Sequence, residues 1–375
     1  MDGITLALLW RALVAFAIVF LLVPASLPFS KRFGMFDHPD DRKQHDEPTS
    51  YVGGILILLA VSISFMVFDL QTNALQLGTF LGCCSLLAIV GLLDDRFGVS
   101  WKWRFAAQIG ATLIMIYVGG VKAENLGDVF GMTTLHLGLL SVPFTVFIVV
   151  GVINALNMID GSDGLAGGQV LVSLALLCAF ALYSGNLPMV ARLVTMAAAV
   201  AGFLVWNFRF PWQDRAHIFL GNAGSMVLGF AIAWATVRLT QSPAHPVSPV
   251  LGPWTIAIPL IDCVALMFHR VLRGRSPFEA DRNHLHHLLL EAGYRPGSIA
   301  FGLMALSLAL GLGAGLAVQQ GVYRPLLVLL FLAVLLGYFL LTRDRDQAIR
   351  IFRSLRPGHA ADLPAEIGTR QDTAK

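Results

Sequence analysis

Apolar runs separated by short polar stretches set the rhythm of this chain. They fall at about 4–27, 51–70, 74–93, 104–121, 136–153, 165–184, 188–206, 221–240, 251–269, 298–318 and 324–342. Each approaches the roughly 20 residues a helix needs to cross a bilayer core. The pattern predicts an all-α, polytopic membrane protein with about 11 transmembrane helices. No cleavage-site pattern follows the first run; the polar "SKRFGMFDHPDDRKQHDEPTS" comes instead. A retained first span is therefore expected rather than a signal peptide. No internal repeat stands out, which weakens an inverted-repeat transporter reading.

Composition strengthens the picture. Of 375 residues, 56% are hydrophobic and only 13% charged, with mean hydropathy +0.72; a soluble chain carries about 25% charged residues. Cys83, Cys84, Cys178 and Cys263 all lie inside apolar runs without paired spacing. They read as packing residues, not as a zinc or redox motif.

Charge placement then orients the spans. Segments 28–50, 94–104, 154–164, 207–220, 270–297 and 343–375 follow alternate spans and hold 21 of the 26 Lys and Arg. Basic loops stay in the cytoplasm, so the expected N-terminus is periplasmic and the C-terminus cytoplasmic. Residues 1–342 form the membrane domain, and 343–375 a basic tail, a surface helix fraying into disorder.

The unusual polar clusters all fall on that cytoplasmic face: "DHPDDRKQH" (37–45), "LLDDRFGVSWKWR" (92–104), "NALNMIDGSDG" (154–164), "HIFLGNAGSM" (217–226) and "RGRSPFEADRNHLHH" (273–287). A pore or scaffold does not need five such loops; an enzyme handling an anionic substrate does. Asp94 and Asp95 end a span where the helix dipole disfavours anions, so a divalent cation or Arg96, Lys102 and Arg104 must offset them. Asn154, Asn157, Asp160 and Asp163 recur every third residue, which on a helix keeps them on one slowly drifting face. Gly221 and Gly224 sit at a helix start, where backbone N–H groups suit an anion. His284 and His287, at i and i+3, share a helix face with His286 pointing elsewhere. With Arg273, Arg275 and Arg282 nearby, they suit phosphate better than zinc, which wants further ligands. Asp262 is the one acid well inside a span, and such acids are paired or functional; both readings stand.

Together, "LLDDRFGVSWKWR", "NALNMIDGSDGLAGG", "FLGNAGSM" and "SPFEADRNHLHHLLLEAGY" resemble the polyprenyl-phosphate N-acetylhexosamine-1-phosphate transferases, in the family's order and spacing, over roughly residues 28–295. "HLHH" is similar to the sugar-1-phosphate branch; the muramoyl-pentapeptide branch has three consecutive histidines. The resemblance implies a multi-pass enzyme of a bacterial cytoplasmic membrane. It would join UDP-GlcNAc and undecaprenyl phosphate into undecaprenyl-diphospho-GlcNAc and UMP with Mg²⁺ or Mn²⁺, the first membrane step of O-antigen or common-antigen type synthesis. Its implied partners are those two substrates and the lipid bilayer, with a homodimer compatible and no nucleic acid. Asp94 and Asp95 match the paired acids near the lipid phosphate, one as general base. Arg104 matches a phosphate contact, and Lys102, Asn154 and Arg282 fall with the phosphate and nucleotide binders. Asn157 and Asn222 match metal ligands, with Asp94 and Asp95 as alternatives. Asp160 and Asp163 would hold the nucleotide or metal shell, and His284, His286 and His287 the diphosphate. One departure stands out: the family commonly has Asp in Gly-Asp-x-Gly-Ser, where this chain has Asn222, so weaker metal affinity is expected. Rival readings are a sister enzyme using another UDP-N-acetylhexosamine or a muramoyl-peptide, and a membrane transporter.

Overall fold

The computed structural model describes residues 3–37, 48–69, 73–131, 133–277 and 281–356. The "DHPDDRKQH" cluster beyond Asp37 and the tail beyond Arg356 lie outside the described residues.

Every apolar run becomes helix. The long elements are α1 (Gly3–Phe33), α2 (Gly53–Phe68), α3 (Ala74–Phe97), α4 (Trp101–Tyr117), α5 (Ser141–Ile159), α6 (Leu165–Tyr183), α7 (Leu187–Asn207) and α8 (Gly221–Thr240). Then come α9 (Gly252–Thr255), α10 (Ala257–Leu272), α11 (Leu285–Glu291), α12 (Pro296–Gln319), α13 (Arg324–Leu341) and α14 (Arg345–Ser354). Local chemistry sets several ends. Asn73 and Asn186 each accept a backbone N–H from the first turn of α3 and α7, satisfying a donor no helix can satisfy itself.

Among the described residues, eight helices are long and apolar enough to cross a membrane, and the α9–α10 pair makes a ninth if counted as one broken span. The expected eleven differ by α2 and α4. At 16 residues, α2 reaches about 24 Å against a hydrocarbon core of about 30 Å. At 17 residues, α4 carries Lys102 and Arg104 in its first turn. The 81° bend between α9 and α10 has a sequence cause: Pro259 has no N–H for the carbonyl of Thr255, which breaks a helix there.

At the centre of the bundle runs α8, buried almost all round, against α2, α3, α5 and α6. On the outside, α13 turns Leu326, Leu329, Leu330, Leu336 and Leu340 outward, as a lipid-facing helix does. Between α5, α8, α9 and α13 lies a cavity of about 430 Å³ whose apolar walls include Phe144, Ile148, Trp254 and Phe331. The one strand pair among the described residues joins β1 (Phe36–Asp37) to β2 (Thr49–Ser50), antiparallel. Ser50 in turn accepts the Phe219 N–H, and Gly53 and Gly54 donate to Phe219 and Leu220. These bonds strap the start of α2 to the start of α8.

Candidate active site

Two acids end α3, and each is held differently. Asp94 takes Arg104 Nη1 at 2.7 Å, its side chain only 7% exposed. Asp95 instead lies against the first turn of α8: it accepts the Asn222 N–H at 3.0 Å, the Asn222 side-chain amide at 2.8 Å and the Ala223 N–H at 3.4 Å. The helix start expected to receive an anion therefore receives one of the protein's own, and its dipole favours that charge. Gly221 makes the approach feasible. Its φ is +73°, and a Cβ there would sit 2.7 Å from Asp95 Oδ2.

The "NALNMIDGSDG" stretch departs from the even helical face. α5 stops at Ile159, and Gly164, at φ +75°, starts the turn into α6. Only the two amides remain on the helix, and they look different ways. Asn154 donates to Gln108 of α4 at 2.7 Å. Asn157 donates to Asn222 Oδ1 at 2.7 Å and to Ser225 Oγ at 2.8 Å. Asp163 is taken up by Arg209 at 2.7 Å and by the Ala216 N–H, while Asn207 accepts the Gly164 N–H. Asp160 is left. Among the described residues its carboxylate has no hydrogen bond or ion pair, and removal from water, then Asp95, then Asp163 push its pKa up to about 7.

The histidines form a separate arm that folds over this loop. α11 begins at Leu285, so His284 precedes it in extended conformation; the i, i+3 helix-face argument fails for that reason. His284 Nδ1 donates to Asp262 at 2.9 Å, and the Leu285 N–H and Tyr338 hydroxyl also donate to Asp262, at 3.0 and 2.6 Å. Asp262 is thus paired by a fold-back of the loop and by α13, a partnership that offers no support to a transporter's intramembrane relay. The His286 and His287 rings lie 4.1 Å apart. His286, not the expected pair, faces the loop: a Cβ on Gly161 would meet its Nε2 at 2.6 Å. Among the described residues both His286 ring nitrogens are buried without a partner. Burial, then His287 and His284, lower its pKa to about 3.

Lys102 is exposed beside the Trp101 ring, away from the acids, and Arg282 is exposed near His287. Sequence reasoning missed Gln108, Ser225, Arg209 and Tyr338. Arg209 lay in a predicted polar loop and counted only as a charge, and Ser225 stood in the quoted "FLGNAGSM" without a role; Gln108 and Tyr338 sit in apolar runs that give no sign of where a polar tip points.

The charges sort cleanly. Asp94 and Asp163 each have an arginine; Asp95 has only neutral donors, and Asp160 has none. Two acids are left without a cationic partner among the described residues, a demand a divalent cation meets. Among the described residues no three His, Cys, Asp or Glu side chains form a closed metal group. Magnesium does not require one, since it takes one or two carboxylates with water and substrate phosphates. The residues fit such an ion.

A model of glycosyl transferase family 4 matches residues 77–240. Two relatives share one name, undecaprenyl-phosphate alpha-N-acetylglucosaminyl 1-phosphate transferase. The protein from Escherichia coli O157:H7 is 36% identical over 313 residues, 82% of this chain and 84% of its own length. That from Yersinia pestis is 36% identical, over 86% of this chain and 88% of its own. More distant but of the same name, the Haemophilus influenzae protein is 32% identical over 75% of this chain and 78% of its own. The acids of α3, the α5–α6 loop and the start of α8 all lie inside the matched region, and the chain belongs to glycosyl transferase family 4.

Proposed function

We propose that this chain transfers N-acetylglucosamine-1-phosphate from UDP-GlcNAc to undecaprenyl phosphate, as its relatives are named for doing. The product is undecaprenyl-diphospho-GlcNAc, with UMP released, in the first membrane step of O-antigen or common-antigen type synthesis. The observation that carries the reading is the convergence of Asp94–Arg104, Asp95, Asp160 and His286 at one end of the bundle.

An oxygen of the lipid phosphate attacks the sugar-bearing phosphorus, and the bond from that phosphorus to the UMP phosphate breaks. Such transfer depends on positioning and charge neutralisation more than on a special nucleophile. Asp95 and Asp160, with the amide oxygens of Asn157 and Asn222, would hold Mg²⁺ or Mn²⁺. Bound there, the ion supplies Lewis-acid neutralisation of the diphosphate. Arg104, 30% exposed beside Asp94, keeps N–H groups for the lipid phosphate. His286 has a ring nitrogen to donate to the diphosphate, and the Arg209–Asp163 pair fixes the loop beneath. The 430 Å³ cavity, which reaches Val152 near Asn154, gives apolar room for isoprene units. The reading carries a multi-pass chain in a bacterial cytoplasmic membrane, with the site facing the cytoplasm.

Membranes containing the protein should label added undecaprenyl phosphate from radiolabelled UDP-GlcNAc and release UMP. Chelation should stop the reaction, and added UMP should reverse it. UDP-GalNAc in parallel tests the sugar; if neither donor labels lipid, the reading fails. Asn222→Asp would face Asp95 with a second carboxylate where an amide now donates at 2.8 Å. The Mg²⁺ concentration for half-maximal rate should then fall; an unchanged titration removes residue 222 from the ion's shell.

A further inference from the structure

The far end of the same helices holds a second concentration of charge. Asn222 opens α8 and Arg238 lies in its last turn; sixteen residues of helix separate them by about 24 Å. Around Arg238 the ends of α1, α2, α3 and α7 bring together Arg11, Asp69, Gln76 and Arg192. Arg11 Nη1 meets Asp69 at 2.9 Å and its Nη2 donates to the Phe68 carbonyl. Arg192 Nε lies 3.7 Å from the other Asp69 oxygen. Arg192 and Arg238 line one crevice with Gln76, and its remaining walls include Phe80, Met196 and Trp234.

Three guanidinium groups gather here near one carboxylate, and Arg11 and Arg192 take it up. Other cations in the loops at this end are balanced: Lys122 has Glu124 at 3.2 Å and Arg324 has Asp128 at 3.9 Å. Half-buried Arg238 makes no hydrogen bond or ion pair among the described residues. A cation among apolar walls at the edge of a bilayer is costly unless it meets a counter-charge. Guanidinium groups suit phosphate because their planar fork donates two parallel hydrogen bonds. The crevice opens at the ends of membrane-spanning helices, where a phosphate on a lipid headgroup is at hand.

We propose that the crevice between α2, α3, α7 and α8 binds the phosphate of an anionic phospholipid, with Arg192 and Arg238 as its donors. The lipid headgroup supplies the missing negative charge. This site is independent of the transfer reaction. It tethers the helix ends opposite the active site to the surrounding leaflet.

The test compares full-length protein in nanodiscs of phosphatidylcholine alone or mixed with phosphatidylglycerol, reading the unfolding midpoint and the lipids retained in native mass spectrometry. The wild type should retain phosphatidylglycerol in preference and unfold at a higher temperature when it is present. Arg238→Gln and Arg192→Gln should each lower that preference about tenfold, the loss of one charge-assisted pair. Arg238→Lys, which keeps the charge without the fork, should fall between. Arg324→Gln removes a balanced cation and should change nothing. Unaltered midpoints in phosphatidylcholine show that the variants fold; if Arg238→Gln does not, Arg238→Lys carries the comparison. Equal phosphatidylglycerol preference in wild type and folded variants overturns the site. A midpoint raised equally by inorganic phosphate in phosphatidylcholine discs overturns its assignment to a lipid.

Discussion

Asp262 and Asp160 are both carboxylates drawn away from water, and the protein treats them in opposite ways. Asp262 collects three donors, from His284, Leu285 and Tyr338. Asp160 collects none among the described residues and faces the acids Asp95 and Asp163. A fully satisfied buried acid is a fixed point from which a loop can be hung. An unsatisfied one stores unmet demand for positive charge. On the proposed reading, the difference separates the part of the site that positions from the part that reacts.

Four experiments press on that contrast. The largest effect should come from Asp160→Asn, which removes charge but no hydrogen bond: transfer should fall about 100-fold or more, with the unfolding midpoint unchanged or raised. A variant that kept its rate would erase the distinction. Asp262→Asn should do the reverse, costing about 3 kcal/mol of stability by leaving donors poorly met in a buried site, with Tyr338→Phe costing about 1 kcal/mol. Their activity loss should follow the displacement of His284, so a large rate effect without a stability effect would place Asp262 among the reacting groups. Gly161→Ala pushes a methyl group toward His286 Nε2 and should cut transfer about tenfold if the histidine arm must close on the loop; Ser162→Ala, beside it, provides the control. The smallest effect is on pH dependence. Because the folded pKa of His286, about 3, lies below the ordinary 6.5, protonation favours the unfolded chain. Its stability contribution is complete above pH 6.5 and shrinks as pH falls toward 3, by about 1 kcal/mol between pH 6.5 and 5.5. His286→Gln should flatten that slope in melts run across the range.

Much of the architecture was legible because lipid imposes a simple rule: apolar stretches near twenty residues long must be helical. Every such run became a helix, and polar clusters within the described residues did meet. The errors arose where one residue decides a local event that averaging over a run cannot register. Pro259 broke a span, and the end of α5 at Ile159 scattered four polar residues predicted to share a face. The Asn222 departure was visible as a letter change. Its consequence, an amide donating to Asp95 while accepting from Asn157, needed the meeting of α3, α5 and α8. Tyr338 was hidden most completely, since nothing in an apolar run tells which tip reaches an acid on another helix.

The histidine arm also has a history written into its supports. Tyr338 comes from α13, and α14 packs Ala348 and Ile349 on Leu288 and Ala292 of α11, with Arg345 paired to Glu291 and the Tyr294 hydroxyl donating to Phe352. Every one of these braces is translated after the arm itself. A ribosome that has released α3, α5 and α8 has supplied the acids, yet the lid over them waits for the last helices. A chain ending before α13 would have its charges in place and the arm still tied to Asp262 through His284 and Leu285, but without the Tyr338 and α14 braces.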